Sequence, residues 1–450
     1  MATSVVASAR SAPPPTVVGF GRPPYSLPLE PAHLLRWALL ALAIANLGRI
    51  PVLSTVGRDV SFVLNDLCVV GLAAFCIIAA VLRRSLLIDS VAFFAMGFAA
   101  VGFGSAVAAV PRLGLSPLEF LVGVSYLVRW LTYFGVYLFI VNNIRPAQVT
   151  GIWRSLLIVM LVFTAFGIIQ SIFLPNFAQL VYPTPGELGD WDAQGHRLVS
   201  FVLEPNIAAA MITLVLLIQL AQISVGVRVP WWQPILFLVG LALTLSRSGV
   251  LALIVGLGVI LVARGLSLRL IRLFGVVLFL SIALIPRLIS FAQTYARFDV
   301  GSRSSAGARV VSWILELQMI ADHPIAGIGF NTFGFVKDRA GMVVSGQGGY
   351  GSDGGLLFAA VMTGLVGLAL YLGMLSSVIR RCKRIWRDPS ADPEHRGLAI
   401  GTAAGVVAIC VHSLFGNSIF TTFVMEILWV SWGLIFVIAR ELRGRATAEA

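Results

Sequence analysis

Arg247 stands in Leu243-Thr244-Leu245-Ser246-Arg247-Ser248-Gly249, between two long apolar runs. A guanidinium at a membrane boundary is costly unless solvated or paired. It reads either as an interfacial arginine reaching for water or as the anchor of an anionic headgroup, whose phosphate oxygens it would grip in pairs. Arg309 poses the same choice. It begins a helical stretch just after Ser304 and Ser305, where a cation opposes the helix dipole and a phosphate would profit from the N–H groups of the helix start. Asp353, in Gly351-Ser352-Asp353-Gly354-Gly355, reads as the N-cap of the next apolar run or as a general base taking a proton from a hydroxyl nucleophile. Asp322-His323-Pro324 places an acid and an imidazole at a helix end. There His323 could cap carbonyls or act as a base. Glu204-Pro205-Asn206, after His196-Arg197, is an ordinary helix start whose carboxylate could pair with an arginine or shape a headgroup pocket. Asp190-Trp191-Asp192 is the one acidic pair of the kind that holds a divalent metal, and three loop residues are a weak signal for one.

The longest break in the apolar sequence, Ala292 to Gly354, holds several of these residues. Within it, Gly307 to Ala321 has helical spacing. Val310, Val311, Ile314, Leu317 and Ala321 fall on one face, with Arg309, Ser312 and Glu316 opposite. Pro324 ends the helix, because the residue before a proline is pushed out of the α region. Residues 325–331 then read as a tight apolar turn.

These residues sit in a chain of 450 that is 58% hydrophobic and 12% charged. Runs of about 20 apolar residues recur throughout, each long enough to cross a bilayer as a helix. About twelve spans are expected, near 34–50, 60–82, 86–110, 118–142, 152–174, 204–225, 231–246, 248–264, 270–291, 356–379, 397–416 and 419–439. The fold class is therefore all-α: a polytopic membrane helical bundle, with a large loop at 292–354 containing a short helix. Residues 1–31 read as a flexible cytoplasmic tail, 32–440 as the transmembrane domain and 441–450 as a second cytoplasmic tail. The first apolar run begins too late for a cleavable signal peptide.

The net charge of +12 suggests nucleic acid only until its placement is considered. The cations cluster at the ends of apolar runs. With the N-terminus inside, 20 of the 32 Lys and Arg fall in inner segments and 11 in outer ones, with Arg129 inside a span. That bias puts both long polar loops outside the cytoplasm. Cys68, Cys76 and Cys410 lie in apolar runs and Cys382 in a basic cluster, so neither disulfides nor a metal site is expected. No repeat of the kind found in symmetric transporters stands out.

The order of motifs from about 190 to 440 resembles the O-antigen ligase and O-antigen or exopolysaccharide polymerase family of bacterial inner membranes. The matching elements are Arg197-Leu198-Val199-Ser200-Phe201 with Glu204-Pro205-Asn206; Thr244-Leu245-Ser246-Arg247-Ser248; Arg309 with Trp313; Asp322-His323-Pro324-Ile325-Ala326-Gly327-Ile328-Gly329-Phe330; Gly364-Leu365-Val366-Gly367; and Val411-His412-Ser413-Leu414. The resemblance implies a many-helix fold of the GT-C type, which uses polyprenyl-linked donors. It also implies transfer of a glycan from undecaprenyl diphosphate to a sugar hydroxyl outside the cytoplasm, by inversion, with Arg247 and Arg309 on the diphosphate and neither metal nor other cofactor. In one respect the chain departs from the family, which commonly carries a His-Asn pair eleven residues before the first glycine of Gly-Leu-x-Gly. Here that position is Asp353, followed by Gly354. The base is then Asp353, or His323 supplies the imidazole.

The expectation is a membrane glycosyltransferase of the cell's inner membrane, with its site facing the periplasm. It would have Asp353 or His323 as catalytic base, Arg247 and Arg309 as diphosphate ligands, and Glu204, Arg197 and Asp322 in support. Its partners would be the lipid-linked donor, a glycan acceptor (a lipid-linked repeat or lipid A core), the bilayer, and other polysaccharide export proteins. A polymerase is favoured over a ligase. A flippase for lipid-linked sugars is the alternative from another class.

Overall fold

The computed structural model describes residues 16–19, 30–55, 58–182, 196–265, 275, 305–339 and 354–449. The α-helices are α1 (Pro31–Leu42), α2 (Leu64–Arg83), α3 (Ser90–Leu113), α4 (Pro117–Asn143), α5 (Val149–Phe173), the short α6 (Phe177–Val181), α7 (Pro205–Ser224), α8 (Trp232–Leu243) and α9 (Arg247–Arg264). They continue with α10 (Ser305–Asp322), α11 (Phe333–Arg339), α12 (Gly355–Arg387), α13 (Pro393–His412) and α14 (Thr422–Glu449). Two small antiparallel pairings, Thr16–Gly19 with Ser85–Ile88 and Ile50–Thr55 with Arg58–Phe62, are the strands among these residues. The chain is thus an all-α bundle. Thr16–Gly19, within the segment read as a flexible tail, forms one of these pairings, and α14 runs on through most of 441–450.

Nine of the described helices are long and apolar enough to cross a membrane. The other three expected spans are accounted for individually. Helices α1 and α8 are apolar but only 12 residues long, and 270–291 lies almost wholly outside the described residues. Between the expected spans 231–246 and 248–264 the helix breaks at Thr244–Ser246, after which Arg247 is the first residue of α9.

Lipid tails are as apolar as leucine, so helices in a membrane associate by close packing and polar contacts rather than by burying apolar surface. Small residues set the register here. On α13, Gly397, Gly401 and Gly405 recur every fourth residue and meet Gln222, Ile218 and Leu214 of α7 in turn, which makes the two helices antiparallel. A Cβ on Gly397 would lie 2.7 Å from the Gln222 Cα. Gly249 and Gly256 of α9 likewise meet Ala209 and Leu217, so α9 runs parallel to α7. This triplet brings the starts of α7 and α9 to the end of α13.

The cations assigned to the inner side collect at one end of the bundle. Arg83 donates to Asn143 Oδ1 at 2.9 Å, Arg440 to the Val141 carbonyl, and Arg381 pairs with Asp89 at 2.5 Å. Arg247, Arg197, Arg129 and Arg112 lie at or near the opposite end, with the starts of α2, α7, α9, α12 and α14.

Candidate functional site

The segment before α7 is held by a buried glutamine. Gln170 Oε1 accepts from the Val199 and Ser200 N–H groups at 3.0 and 3.1 Å, and its amide donates to the Arg197 carbonyl. Arg197 in turn donates from Nε to the Thr244 carbonyl at 2.9 Å, and Leu198 N–H bonds to Leu243 O. Arg197 therefore helps satisfy the carbonyls at the end of α8, a common use of a cation there. Glu204 is the N-cap of α7, with Pro205 in the first turn. Burial pushes its carboxyl pKa up, and nearby Asn206 and Arg197 offset part of that rise.

Ser246 caps α9, its Oγ accepting from Gly249 N–H at 3.2 Å, and Arg247 next to it is exposed. The Ser246 hydroxyl donates to Asn206 Oδ1 at 2.9 Å, joining the starts of α9 and α7. From there polar contacts continue through Ser248 to His412, the last residue of α13, which is 1% exposed. The Gly355 N–H donates to Ser413 O at 2.6 Å, and Gly354 bridges to Gly416, so the start of α12 sits on the same corner.

Helix α10 completes this end. It spans Ser305–Asp322, as its spacing predicts, but its faces are reversed relative to a helix lying on a protein in water. Val310, Val311, Ile314 and Leu317 are exposed, whereas Ser312 and Glu316 are buried, Glu316 completely. Ser312 Oγ donates to Glu316 Oε1 at 2.9 Å, a Cβ on Gly354 would lie 3.2 Å from Glu316 Oε2, and Trp313 packs against Phe415 at 6.1 Å. A helix with its apolar stripe outward and polar residues inward suits a protein surrounded by lipid.

The far end of α10 is locked into α12. Leu365 N–H donates to Pro324 O at 2.7 Å and Ile328 N–H to Val361 O at 2.9 Å. Ser105 of α3 donates to the Ala326 carbonyl and accepts from Gly329 N–H, and Arg112 donates to the Gly327 carbonyl. Helix α12 is interrupted at Gly364, with φ 68° and ψ −173°. A Cβ there would overlap the Ile325 carbonyl, and one on Gly327 would lie 2.6 Å from Met362 C. The turn read as apolar and tight is thus inserted into a helix break, and the glycines serve close approach.

The candidate residues therefore divide. Arg247, Glu204 and Arg197 share one corner with Asn206, Ser246, Ser248, Gly354 and His412. Arg309 lies in the second turn of α10 and its side chain is outside the described residues, as are Asp353, Asp190 and Asp192. His323 and exposed Asp322 lie at the other end of α10. Thirteen residues of helix separate Arg309 from Asp322, roughly 20 Å of axis. Burial and nearby Arg112 lower the His323 pKa, against the pull of Asp322.

Sequence reading missed the roles of Asn206, Ser246 and Ser248, because the contacts from Ser246 to Asn206 and from Ser248 to His412 form only across helices. It also missed a second buried cluster. Asp66 accepts from Arg129 Nε at 3.1 Å and from Tyr133 at 2.9 Å, and Asn65 donates to Glu426 at 2.7 Å.

Residues 234–372 match the protein family described as O-antigen ligase. The match begins before the α8–α9 break with Arg247, includes α10 and its turn, and ends just beyond the Gly364 break in α12. No curated protein matches the chain. Through this segment the chain is similar to the O-antigen ligase family, and its nine long apolar helices among the described residues make it a polytopic helical bundle.

Proposed function

We propose that the protein transfers a glycan from a polyprenyl-diphosphate carrier to a sugar hydroxyl, with its site at the outer face of the bacterial inner membrane. The observation that carries this reading is the position of Arg247. It is exposed on the first turn of α9, at the bundle end where α7, α12 and α13 also terminate and away from the main basic cluster. Phosphate oxygens there would meet a guanidinium and the positive end of the α9 dipole together. Arg309, one turn before Ser312 on α10, is the second diphosphate ligand.

In this mechanism the bond from the donor's anomeric carbon to the diphosphate breaks as the acceptor oxygen attacks from the opposite face. The acceptor's proton passes to Asp353, next to Gly354 at the start of α12. The two arginines stabilise the charge gained by the leaving diphosphate. Glu204 and Arg197 shape the pocket. Asp353 is favoured over His323 as base, since His323 and Asp322 lie a helix length from Arg309. Polymerisation of lipid-linked repeats is favoured over ligation to lipid A core, on the Asp353-Gly354 departure from the usual His-Asn pair.

The test is incubation of purified protein with an undecaprenyl-diphosphate glycan, with and without EDTA, adding lipid A core in a parallel reaction. Longer lipid-linked glycans are expected in both arms. Product only with lipid A core makes the protein a ligase, and loss of product with EDTA returns Asp190 and Asp192 to the site. Transbilayer movement of the donor without bond formation would make it a flippase.

A further inference from the structure

His412 is an imidazole sealed among apolar helices, and both its ring nitrogens have partners on other segments. Nε2 lies 3.3 Å from Ser248 Oγ on α9, and Nδ1 lies 2.7 Å from Ser418 Oγ, beyond the end of α13. Ser248 Oγ is 3.0 Å from Ser246 Oγ, which reaches Asn206 on α7. A neutral imidazole has one donor and one acceptor nitrogen, and a serine hydroxyl can play either part, so one tautomer satisfies the whole chain. Packing alone would be served by leucine here, and a buried polar ring is costly without its partners. The effect of the chain is specific. It fixes the first turn of α9 sideways to the ends of α13 and α7, and that turn carries Arg247.

We propose that His412 is a positioning residue for donor binding: through Ser248 it sets the height and direction of the α9 start, and so the reach of the Arg247 guanidinium toward a diphosphate. The inference rests on the reading of Arg247 as a diphosphate ligand. It is tested by binding of geranylgeranyl diphosphate to detergent-purified full-length protein, with inorganic pyrophosphate as competitor. Arg247→Ala and His412→Leu are each expected to weaken binding about tenfold or more, and the double variant to bind no worse than Arg247→Ala, because groups acting as a unit are non-additive. His412→Gln, whose amide can replace the contact to Ser248, is expected to recover most of the loss. Ser248→Ala removes a single hydroxyl and decides the matter if His412→Leu does not fold.

Wild-type affinity in both His412→Leu and Ser248→Ala, with Arg247→Ala impaired, would overturn the positioning role and leave the site standing. Additive losses in the double variant, or no recovery by His412→Gln, would overturn it as well. Unchanged affinity in Arg247→Ala would instead remove the reading of the site itself.

Discussion

At the scale of single residues, the proposed role of Arg247 follows from its place as the first residue of α9. Exposure alone would leave it an interfacial arginine. In the proposed site, the positive end of the α9 dipole would add to its attraction for a phosphate. Charge-assisted hydrogen bonds contribute roughly 1.5–3 kcal/mol, so Arg247→Ala is expected to raise the donor KM about 10- to 100-fold, with Arg247→Lys recovering only part because an ammonium lacks the fork. Initial rates against donor concentration measure it. Glu204 gives a separate prediction. Its pKa is raised by burial, so it loses its proton at higher pH than an exposed glutamate. If its charge supports the pocket, activity rises with pH through that raised value, and Glu204→Gln abolishes this limb of the pH–rate profile. A wild-type profile in Glu204→Gln would exclude a role for its ionisation.

Among elements, the interlock between the turn after Pro324 and the break in α12 determines where α10 lies. The amphipathic spacing of 307–321 located the helix, and Pro324 marked its end. Which face is buried was not legible, because in lipid an outward apolar stripe costs little while Ser312 and Glu316 gain from protein partners. The Gly364 break also escaped the sequence, since a glycine in an apolar run reads as helix. Gly364→Ala combines a positive φ with a clash against the Ile325 carbonyl. It is expected to destabilise the protein by at least about 2 kcal/mol, seen as a lower thermal midpoint in detergent. Gly275→Ala, outside this interlock, is the control, and equal midpoints for the two variants would refute the interlock.

For the whole molecule, the two bundle ends differ in kind. One end carries most of the basic helix termini and the buried Arg381–Asp89 pair, to which Tyr137 donates at 2.8 Å. Removing one partner strands the other charge, so Asp89→Ala is expected to cost roughly 3–5 kcal/mol, and a double Asp89→Ala, Arg381→Leu variant less than that. Thermal midpoints of the single and double variants compare them. The opposite end holds Arg247 and Glu204. In a cysteine-free background, Arg247→Cys is expected to react with an impermeant thiol reagent added to intact spheroplasts, and Asp392→Cys only after lysis. The reverse pattern would turn the protein over and place the site in the cytoplasm.

Nine of the expected spans, the charge bias between their ends, the α10 boundaries to within two residues and the motif order were legible in the sequence alone, because each is a property of a local window of side chains. The tertiary structure decided which helix ends meet. Ser248 and His412 are 164 positions apart, and Ser105 and Ala326 are 221. Their contacts depend on how closely backbones approach along Gly397, Gly401 and Gly405 and at the Gly364 break. Such approach follows from the packing of whole helices against one another, so no local stretch of residues encodes it.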